Sequence, residues 1–171
     1  GGLLAAVWCE TEDDITLLWQ RASREHVEFV QVKRSEMNQL WTAAKICERH
    51  AAGDSARGRE ASGPADLTSG ADAPRSLAEK SLAHDRCAEP CSFRVVSARD
   101  LHSDLDVLCL PLSHSHRADG HSKIEAAVAD IRTKAARVRP FISPNGHDVE
   151  YWVRHLVWDA RGRLEAVSSQ N

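Results

Sequence analysis

No run of apolar residues approaches the roughly 20 that a membrane-spanning helix needs, and the opening segment "LLAAVWC" has neither the basic flank nor the length of a secretory signal. The expectation is a soluble, cytoplasmic protein with no membrane partner. Cysteine is sparse: five residues, an odd number, stand without a repeating spacing. That excludes a disulfide scaffold from the reading and favours reduced thiols in a reducing compartment. An excess of charge of one sign is missing as well, because 22 Lys and Arg face 25 Asp and Glu for a formal net charge of −3. A protein coated in basic surface is thereby excluded, although a local Lys/Arg cluster that binds phosphates is not. There is no internal repeat. What the chain does have is material for one modest core, with 42% hydrophobic residues among 171. The reading is a single domain over residues 1–171 with an internal loop. Because the sequence starts at Gly1 inside an apolar segment, it is also read as an N-terminally truncated fragment.

Residues 7–19 and 26–33 are rich in Val, Ile, Thr, Phe and Trp and read as two strands of an antiparallel hairpin around the polar loop "QRASRE". In 36–48, Met37, Leu40, Trp41, Ala44 and Ile46 or Cys47 recur near helical spacing, which predicts a helix. Residues 51–75 combine Gly, Ser, Ala, Asp and Pro without an apolar period and are read as a flexible loop. Ser76 followed by Glu79 has the spacing of a capping box and predicts a helix start. "SFRVVSA", 92–98, carries Val on both faces, as a central strand does. The stretch after it, "ARDLHSDLDVL", reads as helical. Ile124, Ala127, Val128, Ile131, Ala135 and Val138 share one face of an amphipathic helix. "SPNG", 143–146, is turn chemistry, and the segment after it reads as helix and then strand.

Strand alternation places Val27, Phe29, Gln31 and Lys33 on one face. If the hairpin is folded about residues 22 and 23, Asp14 lies opposite Gln31 and Glu12 opposite Lys33. Glu10, Glu12, Asp14, Gln31 and Lys33 then share a surface. A slip of one residue would substitute Asp13 for Asp14, and the loop length leaves that choice open. Such a set suits Mg²⁺ or Mn²⁺, because a hard divalent cation takes oxygen ligands and keeps several waters. Asp14, the Gln31 amide oxygen and the Val32 carbonyl are the candidate ligands. Lys33 is the candidate for orienting or deprotonating the attacking water and for stabilising developing negative charge. The competing explanation is a strand leaving the core, with polar ends and an edge lysine.

The acidic strand "ETEDDI", Glu10 to Ile15, followed by "QVK", Gln31 to Lys33, resembles the PD-(D/E)xK nuclease fold. More closely, it is similar to the double-stranded DNA endonuclease domains of bacterial anti-phage defence effectors, including those of cyclic-oligonucleotide signalling systems. The later segments "SLAEKSLAHDRCAEPCSFRVVSARDL" and "SPNGHDVEYWV" share the likeness. The resemblance implies an α/β, restriction-endonuclease-like mixed sheet flanked by helices, and Mg²⁺-dependent hydrolysis of double-stranded DNA in the bacterial cytoplasm. It further implies a fused or associated nucleotide-sensing or ATPase domain, assembly into a homo-oligomer on activation, and another acid or Gln on a helix preceding Gly1. The alternative is a catalytically inactive module of the same fold that binds DNA or docks a partner.

Arg132, Lys134, Arg137 and Arg139 form a basic face that could contact DNA phosphates, against the simpler account of a solvated helix face. Cys87 and Cys91 with His114, His116 and His121 lack the spacing of a strong zinc motif and are better explained as buried thiols and a His-rich surface loop. Trp41, Trp152 and Trp158 fall in apolar periods and are read as core.

Overall fold

The structure is a computed structural model that describes residues 2–9, 14–21, 24–33, 40–49, 75–137 and 141–160. Five strands form one mixed sheet in chain order: β1 (Leu3–Cys9), β2 (Asp14–Arg21), β3 (Arg24–Lys33), β4 (Cys91–Ser97) and β5 (Leu156–Ala160). β1, β2 and β3 pair antiparallel, and β3, β4 and β5 pair parallel. Between β3 and β4 come helices α1 (Ala43–Cys47) and α2 (Leu77–Ala83), and between β4 and β5 come α3 (Ser122–Ala136) and α4 (Val149–His155). Two 3-10 segments, Ser103–Cys109 and Ser115–Arg117, precede α3. This is the α/β, restriction-endonuclease-like arrangement expected from the sequence, a mixed sheet flanked by helices.

The register explains the core. Val27 and Phe29 of β3 stand beside Cys91 and Phe93 of β4, and Phe93 and Val95 stand beside Leu156 and Trp158 of β5. All of these are buried in one cluster with Ile46, Leu82, Leu105, Ile124, Ile131 and Trp152 from the helices and the first 3-10 segment. Removing a side chain of this size from water contributes roughly 1.5–3 kcal/mol, so the row from Phe29 to Trp158 anchors the sheet. The opposite face carries a polar web, in which Glu28 accepts from Trp19 Nε1 at 2.9 Å and from Arg94 Nε at 2.8 Å. At the far edge, β1 leaves Leu3, Leu4, Val7 and Trp8 exposed.

Several local expectations appear as drawn. Ser76 and Glu79 form a reciprocal capping box at the start of α2. Ile124, Ala127, Val128 and Ile131 are the buried stripe of α3. Gly146 takes a positive φ of 84° in the "SPNG" turn, a conformation glycine adopts without steric cost.

Others are corrected. Residues 7–19 are not one strand: β1 ends at Cys9 and β2 begins at Asp14. The hairpin has no six-residue loop, since Arg21 still pairs with Arg24. Polar side chains at the tip do not stop backbone pairing, which asks only for N–H and C=O partners. Of the helix expected over 36–48, residues 36–39 lie outside the described residues, and within 40–48 the helix spans Ala43–Cys47. Trp41 instead forms an extended bridge to Leu101, with Trp41 N bonded to Asp100 O at 3.0 Å and His102 N to Trp41 O at 2.8 Å. The stretch after β4 is helical, but as a 3-10 segment. The loop expected at 51–75 lies outside the described residues, apart from Arg75. No helix among the described residues is long and apolar enough to cross a membrane.

One junction is unusual. α4 runs into β5 without an intervening residue. Arg117 is buried there and donates from Nη2 to the carbonyls of Val153, Arg154 and Leu156 at 3.2, 3.0 and 2.6 Å. One guanidinium thus binds carbonyls on both sides of the helix–strand junction, where the last helical turn runs out of intrahelical donors. Burial pulls its pKa down to about 10.

Candidate functional site

The site lies where the core row turns polar. On the helix-covered face of β3, Val27 and Phe29 give way to Gln31 and then Lys33. Gln31 is flanked by Asp14 of β2 on one side and Val95 of β4 on the other. The register therefore places Asp14, not Asp13, opposite Gln31. Asp14 opens β2, so its carboxylate sits at the strand end beside a nearly closed core.

Gln31 is 2% exposed, and a buried amide must find hydrogen-bond partners or cost the fold heavily. It finds two. Gln31 Nε2 donates to Asp14 Oδ1 at 3.2 Å, and Ser81 Oγ of α2 donates to Gln31 Oε1 at 2.8 Å. Ser81 Oγ also lies 3.2 Å from Leu77 O, one helical turn back. Lys33 follows on the same face and is half-buried, and Val32 between them is half-buried on the other face. One surface thus holds a carboxylate, an amide and an ammonium. Glu10, Glu12 and Asp13 lie outside the described residues.

Ser81 was not singled out by sequence reasoning, although a signal existed. α2 buries Leu77, Ala78, Ser81 and Leu82, and a hydroxyl within such an apolar stripe announces a polar partner across the interface.

A second buried polar centre, also missed, sits near the opposite end of β4. Asp85 is 1% exposed. It accepts from Ser143 Oγ at 2.6 Å, Asn145 Nδ2 at 3.0 Å and Cys91 Sγ at 3.1 Å, and it pairs with His147 Nδ1 at 2.6 Å. Burial alone would raise its carboxyl, but these hydrogen bonds outweigh burial and hold it below the usual carboxylate range. Burial and the adjoining Asp85 push the Cys91 thiol up to about 12. It is a protonated structural donor, and a nucleophile would need the reverse shift. The ring of His147 stacks on Tyr151 with centroids 3.6 Å apart, so the "SPNG" turn is fastened to both α4 and β4.

The basic residues of α3 stand apart from this polar row. Arg132 is exposed and donates to Glu150 Oε2 at 3.1 Å, Lys134 is half-buried, and Arg137 is the exposed C-cap of the helix. α3 packs chiefly on α4, α1 and the Ser103–Cys109 segment. Arg139 lies outside the described residues. The three imidazoles of His114, His116 and His121 lie close together, with centroids 4.8 and 4.6 Å apart. His114 Nδ1 and His121 Nδ1 accept backbone N–H groups at helix starts, which occupies those nitrogens in capping. Cys87 is half-buried, and Trp152 and Trp158 are core residues, as expected. Trp41 is partly buried against that core and donates from Nε1 to Ser97 Oγ at 3.1 Å.

Comparison with known proteins gives one family. The model for "Cap4, dsDNA endonuclease domain" matches residues 3–170, nearly the whole chain. No curated protein and no solved structure matches.

Proposed function

The chain belongs to the Cap4 dsDNA endonuclease domain family, and from that membership we propose that it hydrolyses phosphodiester bonds of double-stranded DNA with Mg²⁺ or Mn²⁺ at Asp14, Gln31 and Lys33. The observation that carries the assignment is the β2–β3 register, which sets Asp14 against Gln31 with Lys33 next on the same face.

The donor set fits a hard divalent cation. Asp14 offers a carboxylate oxygen, Gln31 an amide oxygen and Val32 a backbone carbonyl, all of the ligand type Mg²⁺ and Mn²⁺ prefer. Such a cation lowers the pKa of bound water and neutralises charge on a phosphodiester. The chain's own residues have separate tasks. Asp14 supplies the fixed negative charge from the half-buried first position of β2. Gln31 extends the donor set without a second charge. Lys33 stands on a flexible stem within the same surface, suited to orient an attacking water and to stabilise charge that develops on the phosphate. Arg137 and Lys134 are proposed to meet the DNA backbone, with Arg132 contributing once Glu150 releases it.

In the same reading the domain is the cutting module of a bacterial antiviral effector acting in the cytoplasm. A fused or associated nucleotide-sensing or ATPase domain restrains it, and assembly with further copies releases it.

The test is cleavage of plasmid DNA by the protein, with its activator, with and without Mg²⁺. Loss of cleavage in Lys33→Ala together with retained DNA binding is the expected result. If Lys33→Ala cuts as well as the unaltered protein, the assignment of this site is wrong. DNA binding without nicking, at any concentration of Mg²⁺ or Mn²⁺, would identify the domain as an inactive DNA-holding module.

A further inference from the structure

Two hydrogen bonds orient the Gln31 amide, and they run in opposite senses. Its nitrogen donates to Asp14 Oδ1 at 3.2 Å, and its oxygen accepts from Ser81 Oγ at 2.8 Å. The end facing Asp14 is therefore the end that cannot ligate a cation. A half-turn about the last side-chain bond exchanges the two ends, and that torsion is soft in glutamine. The turn would set an N–H against Ser81.

Ser81 can receive it. A hydroxyl has one donor and two acceptor lone pairs, and the Leu77 carbonyl lies 3.2 Å from Ser81 Oγ. The hydroxyl proton can swing from Gln31 Oε1 to Leu77 O and leave a lone pair for Gln31 Nε2. Neither orientation then strands a polar atom. That matters because Gln31 and Ser81 are each 2% exposed, and an unpaired buried donor costs about 1–3 kcal/mol.

We propose that Ser81 is the positioning residue of the cation site: a two-way hydrogen-bond partner that lets the Gln31 amide turn its oxygen towards Asp14 when a divalent cation binds and turn back when it leaves. The proposal rests on Asp14 and Gln31 being the cation ligands. It accounts for the pairing of glutamine with serine. A glutamate at position 31 would need no turn, but it would set two like charges against each other in the empty site. Glutamine avoids that repulsion, provided that its buried neighbour can both give and take a proton. Apolar and purely donating side chains at position 81 fail that condition.

Mn²⁺ binding to the full chain without DNA, followed by the paramagnetic resonance of the free ion, tests the role without reference to cleavage. Ser81→Ala strands the Gln31 oxygen in the empty site and an amide N–H in the occupied one, and because an orphaned N–H is tolerated less than an under-satisfied carbonyl oxygen, it is expected to bind Mn²⁺ roughly fivefold more weakly. In the Gln31→Glu background the same change is expected to cost less than about twofold, because a carboxylate presents oxygen at both ends. Ser81→Cys is close in volume but weak as donor and acceptor, so it should fall on the alanine side, and it serves if the alanine variant does not fold. Equal losses in the two backgrounds, or no loss in either Ser81 variant while Asp14→Ala abolishes binding, would overturn the role of Ser81 and leave the cation site standing. Undiminished Mn²⁺ binding in Asp14→Ala would overturn the site itself, and the role of Ser81 with it.

Discussion

Asp85 and Gln31 are both polar side chains sealed within the core, 1% and 2% exposed, yet they are bonded in different ways. Asp85 is saturated: four side chains converge on its two oxygens, drawn from α4's approach, the "SPNG" turn and β4. Gln31 is held by two bonds, one of them from a hydroxyl with a second partner within reach. Saturation locks a group, because every alternative arrangement leaves donors unpaired. Sparse bonding with a spare acceptor leaves an arrangement that can change. The contrast separates a structural polar centre from one suited to chemistry, and burial alone would not have done so.

Variants can sharpen or break this contrast. The largest effect is expected at the strand end: Asp14→Ala or Lys33→Ala should lower the DNA cleavage rate roughly 10²- to 10³-fold, the range for removing one group that stabilises a transition state. Urea unfolding should shift by no more than about 1 kcal/mol for Lys33→Ala and by about 1–3 kcal/mol for Asp14→Ala, which takes the acceptor from Gln31 Nε2. Next comes Asp85→Ala, which takes their shared acceptor from Ser143, Asn145, His147 and Cys91 and should cost about 3 kcal/mol or more in unfolding free energy. Any cleavage lost in that variant should track the unfolded fraction.

Gln31→Leu is the discriminating case. It removes a buried amide while Ser81 keeps Leu77 O as a partner, so stability should stay within about 1 kcal/mol of the parent while cleavage falls, though by less than in Asp14→Ala or Lys33→Ala. A large loss of stability there would mean that Gln31 is a lock of the Asp85 kind.

The smallest effect is in pH dependence. Burial would raise the carboxyls of Asp85 and Glu79, but hydrogen bonds outweigh it, those of Glu79 coming from Arg49 and Ser76, and both are held below the usual range. A carboxyl with a folded pKa below its unfolded one contributes stability that is complete above the unfolded value, about 4, and is lost as pH falls through the folded value. Urea midpoints should therefore decline below about pH 4. Asp85→Asn, already weaker at neutral pH, should decline less over that interval.

Much of this was legible in the sequence, for reasons that differ by element. Short-range signals carried β2, β3, β4, the capping box at Ser76 and the stripe of α3, since their determinants lie within a turn or a strand of one another. The hairpin, whose two strands are adjacent in sequence, left Asp13 or Asp14 opposite Gln31, and the register selects Asp14. The helix expected over 36–48 does not take in Trp41, which is claimed by Leu101 and Asp100, since tertiary pairing overrides a local period. Ser81 and Asp85 were missed because most of their partners lie 50 to 62 positions away, so that a hydroxyl in the apolar stripe of α2 marks the need for a partner without naming it.

That spread of distances also sets an order of events. Asp14 and Gln31 are 17 positions apart in one hairpin, whereas Ser81 is 50 positions from Gln31. A hairpin closes in roughly 1–10 μs, but α2 can reach β3 only after a much longer stretch of chain has been gathered, with the entropy that such closure costs. The carboxylate and the amide therefore meet early, while the hydroxyl that lets the amide turn is delivered late. Until α2 docks, Asp14 and Gln31 are paired but Gln31 Oε1 lacks its Ser81 partner, so under the function proposed for this site the newly made chain becomes competent only as its folding ends.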